Sequence, residues 1–339
     1  MRAVSTFFST LPFLRKALPW AILGLVFPAL ILFNAVFMTL FPAHPGQKTA
    51  LSDVFNPDHY LVQSAFVYNT RDANQLFGNF YYTLGTQLAA RGQLIPAEAM
   101  LNKAAHLLPR NPYVHMNYGV VLEALEKNPE ALGQYQEAIT LDPKMVQGYY
   151  SLGLLQDKLN QLDKGIESLQ KAVALAPDNG MINYDLGVLY AKKGDFEKSA
   201  LYSQKALEGG NEFAEAYNNY GYALAQLGKY AEALDAIEKS LALKPESAAA
   251  LDSKGYALSG LGRHDEALKV YSEALKQDPT IGEIYLHMAQ ALEQLGSYDK
   301  SVKAYETYLQ MTPDAPDRLH VEEKIKKLRK WTSTNAKQT

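Results

Sequence analysis

A period of 34 residues runs through most of this chain and limits what it can fold into. Seven blocks align without a gap, beginning at Gly78, Pro112, Val146, Gly180, Ala214, Ala248 and Gly282. Their eighth position reads Gly85, Gly119, Gly153, Gly187, Gly221, Gly255 and Ala289. Position 20 reads Ala97, Ala131, Gly165, Ser199, Ala233, Ala267 and Ser301. Position 27 is equally small until Tyr308 in the last block. Pro109, Pro143, Pro177, Pro245, Pro279 and Pro313 mark position 32. Self-similarity at this length describes one helical unit copied along an axis, each copy burying its apolar face against the next.

Each block holds two stretches of helical periodicity. Small residues at positions 8, 20 and 27 let helix backbones approach, and large residues at positions 4, 7, 11 and 24 fill the space between. Tyr217, Tyr220, Leu224 and Ile237 do this in the fifth block. Position 15 turns the chain between the two helices. Gly92, Gly194, Gly228, Gly262 and Gly296 stand there, with Asn160 in the third block. Both residue types tolerate a left-handed backbone. Glu126 holds that place in the second block, with Asn128 and Pro129 close behind. Proline near position 32 ends the second helix. Asn211 replaces it after Gly209 and Gly210. Tyr308, at a position otherwise small, predicts looser helix packing in the last block.

These columns resemble the tetratricopeptide repeat over residues 78–315, about two thirds of the chain. The resemblance implies an all-α fold: a right-handed superhelical solenoid of seven helix pairs whose first helices line a concave groove. Such a solenoid needs a half-polar cap over its last apolar face. Residues 316–331 read as that capping helix. Leu319, Val321, Ile325, Leu328 and Trp331 would face inward, and Arg318, Lys324, Lys326, Lys327, Arg329 and Lys330 outward. Residues 332–339 read as a flexible tail.

Upstream of the repeats, no Lys, Arg, Asp or Glu occurs between Ala17 and Gln47. The apolar centre, Leu18 to Phe41, has 24 residues. At about 1.5 Å per residue that helix is long enough to cross a bilayer core of about 30 Å. Residues 17–43 are therefore expected to form a transmembrane anchor. The run is too long for a signal peptide, and Pro42 and Pro45 flank the place where cleavage would fall. Arg2, Arg15 and Lys16 precede it, which assigns residues 1–16 to the cytoplasmic side and the repeats to the translocated side. Residues 44–77 form a connector, in which Tyr60 to Tyr68 is apolar enough for a short helix.

Composition removes most chemistry. The chain lacks cysteine and carries a net charge of −3, so thiolate metal sites and a bulk attraction to nucleic acid are both excluded. Seven histidines are scattered without a zinc spacing, and every repeated glycine is accounted for by packing or turns. No segment is left to hold a catalytic domain. The expected protein is not an enzyme and takes no cofactor or metal.

The resemblance places positions 2, 5, 6, 9, 12 and 13 of each block in the groove. Tyr82, Asn117, Tyr150, Tyr184, Asn218, Asn219, Tyr222 and Tyr256 are the candidate contacts there. Relatives that capture acidic C-termini use lysines at such positions, and no window here carries them. Carboxylate capture needs cations. Tyrosine rings and asparagine amides suit a protein segment instead, through apolar contact and backbone pairing. The basic run after Pro316 is a solvated cap face or a contact for anionic headgroups or an acidic partner.

The expected function is a membrane-tethered scaffold or assembly factor that holds a protein partner, a membrane complex or its client, in the groove. Bacterial inner-membrane proteins of this layout, with repeats on the periplasmic side, give the expected location. The alternative is a permanent accessory subunit of a membrane complex. With a C-terminal tag, protease added to spheroplasts should digest the repeats while cytoplasmic proteins stay intact. Protection of the tag would reverse the orientation.

Overall fold

The computed structural model describes residues 73–208 and 213–335. Among them, positive φ occurs at seven residues: Gly92, Glu126, Asn160, Gly194, Gly228, Gly262 and Gly296. These are the seven position-15 residues, so one left-handed turn per block separates two helices throughout. Glu126 takes φ of 59° where glycine would be free of strain.

Fifteen helices and no strand are found among the described residues. The first helices of the seven pairs are α1 (Ala73–Ala90), α3 (Pro112–Ala124), α5 (Val146–Lys158), α7 (Gly180–Lys193), α9 (Ala214–Gln226), α11 (Ala248–Gly260) and α13 (Gly282–Gln294). The second helices are α2 (Leu94–Leu107), α4 (Asn128–Leu141), α6 (Leu162–Leu175), α8 (Phe196–Leu207), α10 (Tyr230–Leu243), α12 (His264–Gln277) and α14 (Tyr298–Met311). A last helix, α15, spans Arg318–Asn335. The expected anchor at 17–43, most of the connector and Asn211 lie outside the described residues. Among those described, no helix is long and apolar enough to cross a membrane.

The chain divides into two compact units, one ending at Met100 and one beginning at Leu101. In the first, α1 begins five residues before the expected block start and turns at Gly92 into α2. Leu88, Ala89 and Ala97 are buried there.

In the second unit the helices of each pair touch where position 8 meets position 24. A Cβ built on Gly221 would lie 2.5 Å from Ile237 Cγ1 and 3.0 Å from the Ala233 carbonyl, closer than real atoms pack. Tyr135, Leu169, Ile237, Tyr271 and Tyr305 fill position 24 and are fully buried. Ser203 takes the place in the fourth pair, with its hydroxyl and that of Ser199 buried and without a partner among the described residues. Loops between pairs are tied down by position 4. His115 Nε2 donates to the Pro109 carbonyl at 3.0 Å, and Asn183 Nδ2 to the Pro177 carbonyl at 2.8 Å. Position 34 caps the next helix: Asn111, Asn179 and Ser247 each accept a backbone N–H from its first turn.

Two expectations at the C-terminal end are corrected. Tyr308 does not loosen the last pair: it is 5% exposed, and its hydroxyl donates to Asp317 Oδ1 at 2.7 Å. The helix that follows is α15 rather than another repeat, which leaves room for a ring at position 27. In α15, Val321, Ile325 and Leu328 are buried at spacings of four and three, as one helix face requires. Leu319 is 77% exposed because it lies two residues, about 200°, from Val321. Trp331 is 52% exposed, with its ring edge-on to Tyr298 at 4.2 Å. The helix also continues to Asn335, four residues past the expected end.

Glu126 supplies a test of the turn. Glu126→Gly should raise stability by about 0.5–1 kcal/mol, the relief of a left-handed backbone less the extra freedom of the unfolded chain. Urea melts would register it as a higher midpoint, and Glu126→Ala should show no gain.

Candidate protein-binding groove

Successive first helices of the second unit stand side by side, and their polar contacts recur at one offset. Tyr150 Oη donates to Asp185 Oδ2 at 2.6 Å, Lys192 Nζ lies 2.5 Å from Asp157 Oδ2, and His287 Nδ1 lies 2.8 Å from Asp252 Oδ1. Each pair is 35 residues apart, one repeat plus one residue. The rungs join α5 to α7 and α11 to α13 across the face that the first helices present.

Rings fill the space between rungs. Tyr184 packs on Phe213 with centroids 4.6 Å apart, and Tyr222 meets Phe196 edge-on at 6.0 Å. Tyr256 lies 5.2 Å from the His287 ring, and its hydroxyl donates to Gln226 Oε1 at 3.4 Å. Burial raises the hydroxyl pKa of Tyr150, Tyr184, Tyr222 and Tyr256 above the ordinary tyrosine value. For Tyr150 and Tyr184 the Asp185 carboxylate adds to the rise. These hydroxyls stay protonated at neutral pH; Tyr150 and Tyr256 donate, to Asp185 and Gln226, while the amides of Asn219 and Gln226 oppose the rise at Tyr184 and Tyr222. The Asp185 acid is itself raised, first by burial and then by the Asp157 charge, while the bond from Tyr150 opposes the shift.

A second Tyr–carboxylate contact comes from below. Position-24 tyrosines of the second helices reach position 12 of the first: Tyr135 Oη donates to Glu123 Oε2 at 2.8 Å, and Tyr305 Oη to Glu293 Oε2 at 3.0 Å. In the sixth pair position 12 is Ser259, whose hydroxyl is engaged with His264. The Tyr271 hydroxyl is consequently buried with no partner among the described residues.

The eight candidate residues divide accordingly. Tyr150, Tyr184, Asn218, Asn219, Tyr222 and Tyr256 are half-buried on one row of first helices. Asn117 is 2% exposed and offers no surface, because α3 is buried at Val114–Asn117 and again at Gly119–Leu122, on nearly every side. Tyr82, in the first unit, is 8% exposed. Asp157, Asp185, Lys192, Phe196, Phe213, Asp252 and His287 were not among the candidates. Both acid–base pairs and Tyr150–Asp185 are complementary residues 35 apart, but the period alone gives 34, and the offset of one follows from the stacking. Nothing in the sequence marks Phe196 or Phe213, which lie outside the first-helix columns. No group of three or more potential metal ligands occurs among the described residues.

Models of the family described as tetratricopeptide repeat match residues 82–146, 150–212 and 253–316, and a related model matches 212–280. No curated protein matches the sequence significantly. Solved structures similar to this chain include a tetratricopeptide repeat protein from Parabacteroides merdae. It is 16% identical with a TM-score of 0.57, and the match covers 76% of this chain and 99% of that one. Another is PilW, a type IV pilus biogenesis factor, 19% identical with a TM-score of 0.53 over 62% of this chain and 97% of that one. At these identities the likeness is one of fold.

The two kinds of position-24 tyrosine predict opposite outcomes. Tyr135→Phe should lose about 1–2 kcal/mol, since it strips a charged acceptor of its donor. Tyr271→Phe should be neutral or stabilising, since it removes a buried hydroxyl that bonds nothing. Chemical denaturation of both variants checks the contrast.

Proposed function

Because the chain belongs to the tetratricopeptide-repeat family, we propose that it is a non-catalytic scaffold that holds a protein partner on its first-helix face. Proteins of this family are generally protein-interaction scaffolds. The observation that carries the reading is how the face spends its polar atoms. Tyr150 and Tyr256 bond neighbouring repeats through their hydroxyls, which fixes ring orientation in advance. Rings held in place cost little entropy when a partner arrives. Tyr184 and Tyr222 are held in the same way by Phe213 and Phe196. The partner lies as a segment along the inner groove and contacts these rings, with Asn218 and Asn219 pairing its backbone.

The same proposal includes a tether. The uncharged apolar stretch at 17–43 anchors the chain in a membrane, with Arg2, Arg15 and Lys16 on the cytoplasmic side and the repeats on the other. A scaffold fixed there works on a membrane complex or on its client.

Crosslinking in native membranes would identify the captured protein. Tyr184→Ala with Tyr222→Ala should then weaken capture by about 2 kcal/mol or more, the scale of central aromatic contacts. Thermal melting should change less, since neither residue is at a helix-packing position. Lys326→Ser with Lys327→Ser, on the exposed side of α15, is the control. If the lysine pair abolishes capture and the tyrosine pair leaves it intact, the binding surface is the basic helix and the groove reading fails.

A further inference from the structure

We propose that the first-helix face binds a basic segment of its partner, with a lysine or arginine side chain of that segment seated at each of two tyrosine-held carboxylates, Glu123 and Asp185. This rests on the groove reading above and names the chemistry of the occupant.

The chain contains a completed version of such a contact. Tyr305 Oη holds Glu293 Oε2, and Lys324 from α15 closes the arrangement. Its Nζ lies 3.1 Å from Glu293 Oε2 and 5.6 Å from the Tyr305 ring centroid. Carboxylate, hydroxyl and ring-bound cation thus satisfy one another, through an ion pair and a cation–π contact.

The second pair repeats two of these three parts. Tyr135 and Glu123 occupy the same block positions as Tyr305 and Glu293, at 2.8 Å, but no ion pair reaches Glu123 among the described residues. Asp185 is a variant on the upper side of the row. Its donor is the Tyr150 hydroxyl, and no cation is paired with it among the described residues. A hydroxyl supplies a hydrogen bond but no opposite charge, so neither carboxylate has the counter-charge that Lys324 gives Glu293. The raised Asp185 acid, driven by burial and by Asp157, is what an uncompensated carboxylate shows.

The row as a whole has the matching sign. Each of its six first helices contributes a carboxylate: Glu123, Asp157, Asp185, Glu215, Asp252 and Glu293. Four of them already have a basic partner, Lys192 at Asp157, Lys244 at Glu215, His287 at Asp252 and Lys324 at Glu293, which leaves Glu123 and Asp185 without one among the described residues. An acidic segment would meet repulsion along this face, and a basic one would supply what Lys324 supplies in the last pair. Asn218 adds a further unmet need: its Oδ1 is buried without a donor among the described residues, a deficit that an incoming N–H removes.

The test uses the full chain in nonionic detergent with two fluorescein-labelled peptides, (Lys-Leu-Ala)4 and (Glu-Leu-Ala)4, read by fluorescence polarisation. The basic peptide should bind and the acidic one should not, with affinity falling as salt rises. Glu123→Gln with Asp185→Asn should weaken the basic peptide about tenfold. Glu130→Gln with Glu232→Gln removes the same charge from exposed second-helix sites and should change affinity by less than about twofold. Equal loss from both pairs would reduce the effect to bulk charge and overturn the proposal. If the acidic peptide binds instead and Tyr184→Ala with Tyr222→Ala abolishes that binding, the groove stands and the basic-segment proposal falls. If neither the tyrosine pair nor the carboxylate pair affects either peptide, both readings fall.

Discussion

The contact between position 8 of one helix and position 24 of the next sets the spacing on which the rest of the molecule depends. Where Gly221 meets Ile237, or Gly255 meets the Tyr271 ring, one added carbon would collide with a fully buried side chain. Two helices at that distance form a unit with one apolar flank, and each unit must cover the flank of the one before. The loops at Pro109 and Pro177, held by His115 and Asn183, keep successive units in register. The fourth pair departs from the pattern. Ser203 stands where a large residue would be, and two buried hydroxyls there lack partners among the described residues. The Gly187 contact is made to that serine instead, with a built Cβ 2.9 Å from its Oγ.

A fixed register gives the first-helix face its order. Stacking displaces each helix so that a residue meets the one 35 further along, and the rungs Tyr150–Asp185, Asp157–Lys192 and Asp252–His287 follow from that displacement. The tyrosines of the face therefore serve two purposes at separate ends of the side chain. The hydroxyl is tied to the neighbouring repeat or to Gln226, and the ring is left half-exposed in a fixed orientation. With the Tyr150 and Tyr256 hydroxyls engaged inside the chain, ring faces and carboxylates are what this surface still presents.

The carboxylates make the same point electrostatically. Glu293 has a lysine from α15, while its counterpart Glu123 has only the hydroxyl of Tyr135. The capping helix thus does more than cover the last apolar face with Val321, Ile325 and Leu328: it neutralises the end of an acidic row.

The sequence by itself determined the repeat and its turns. Small residues at positions 8 and 20 admit few other packings, and the left-handed position 15 was legible even where Glu126 and Asn160 occupy it, because its neighbours in register are glycine. The 34-residue period also assigns residues to recurring positions, and the resemblance to the tetratricopeptide repeat, not the period, implied that the first helices line the groove. Tertiary structure alone decided how that face is used. Asn117 sits in a groove column yet is buried, because α3 is apolar around most of its circumference. Leu319 looked inward from its hydropathy, but its angular position turns it to solvent, and Trp331 is half exposed with its ring against Tyr298. The pairing of position n with n+1 of the next repeat depends on helix tilt, which no column of one sequence encodes, so Asp185 and His287 acquired their roles only when the helices were stacked. The physical reason is common to these cases: periodicity fixes which side a residue faces, and the geometry of stacking fixes what it meets there.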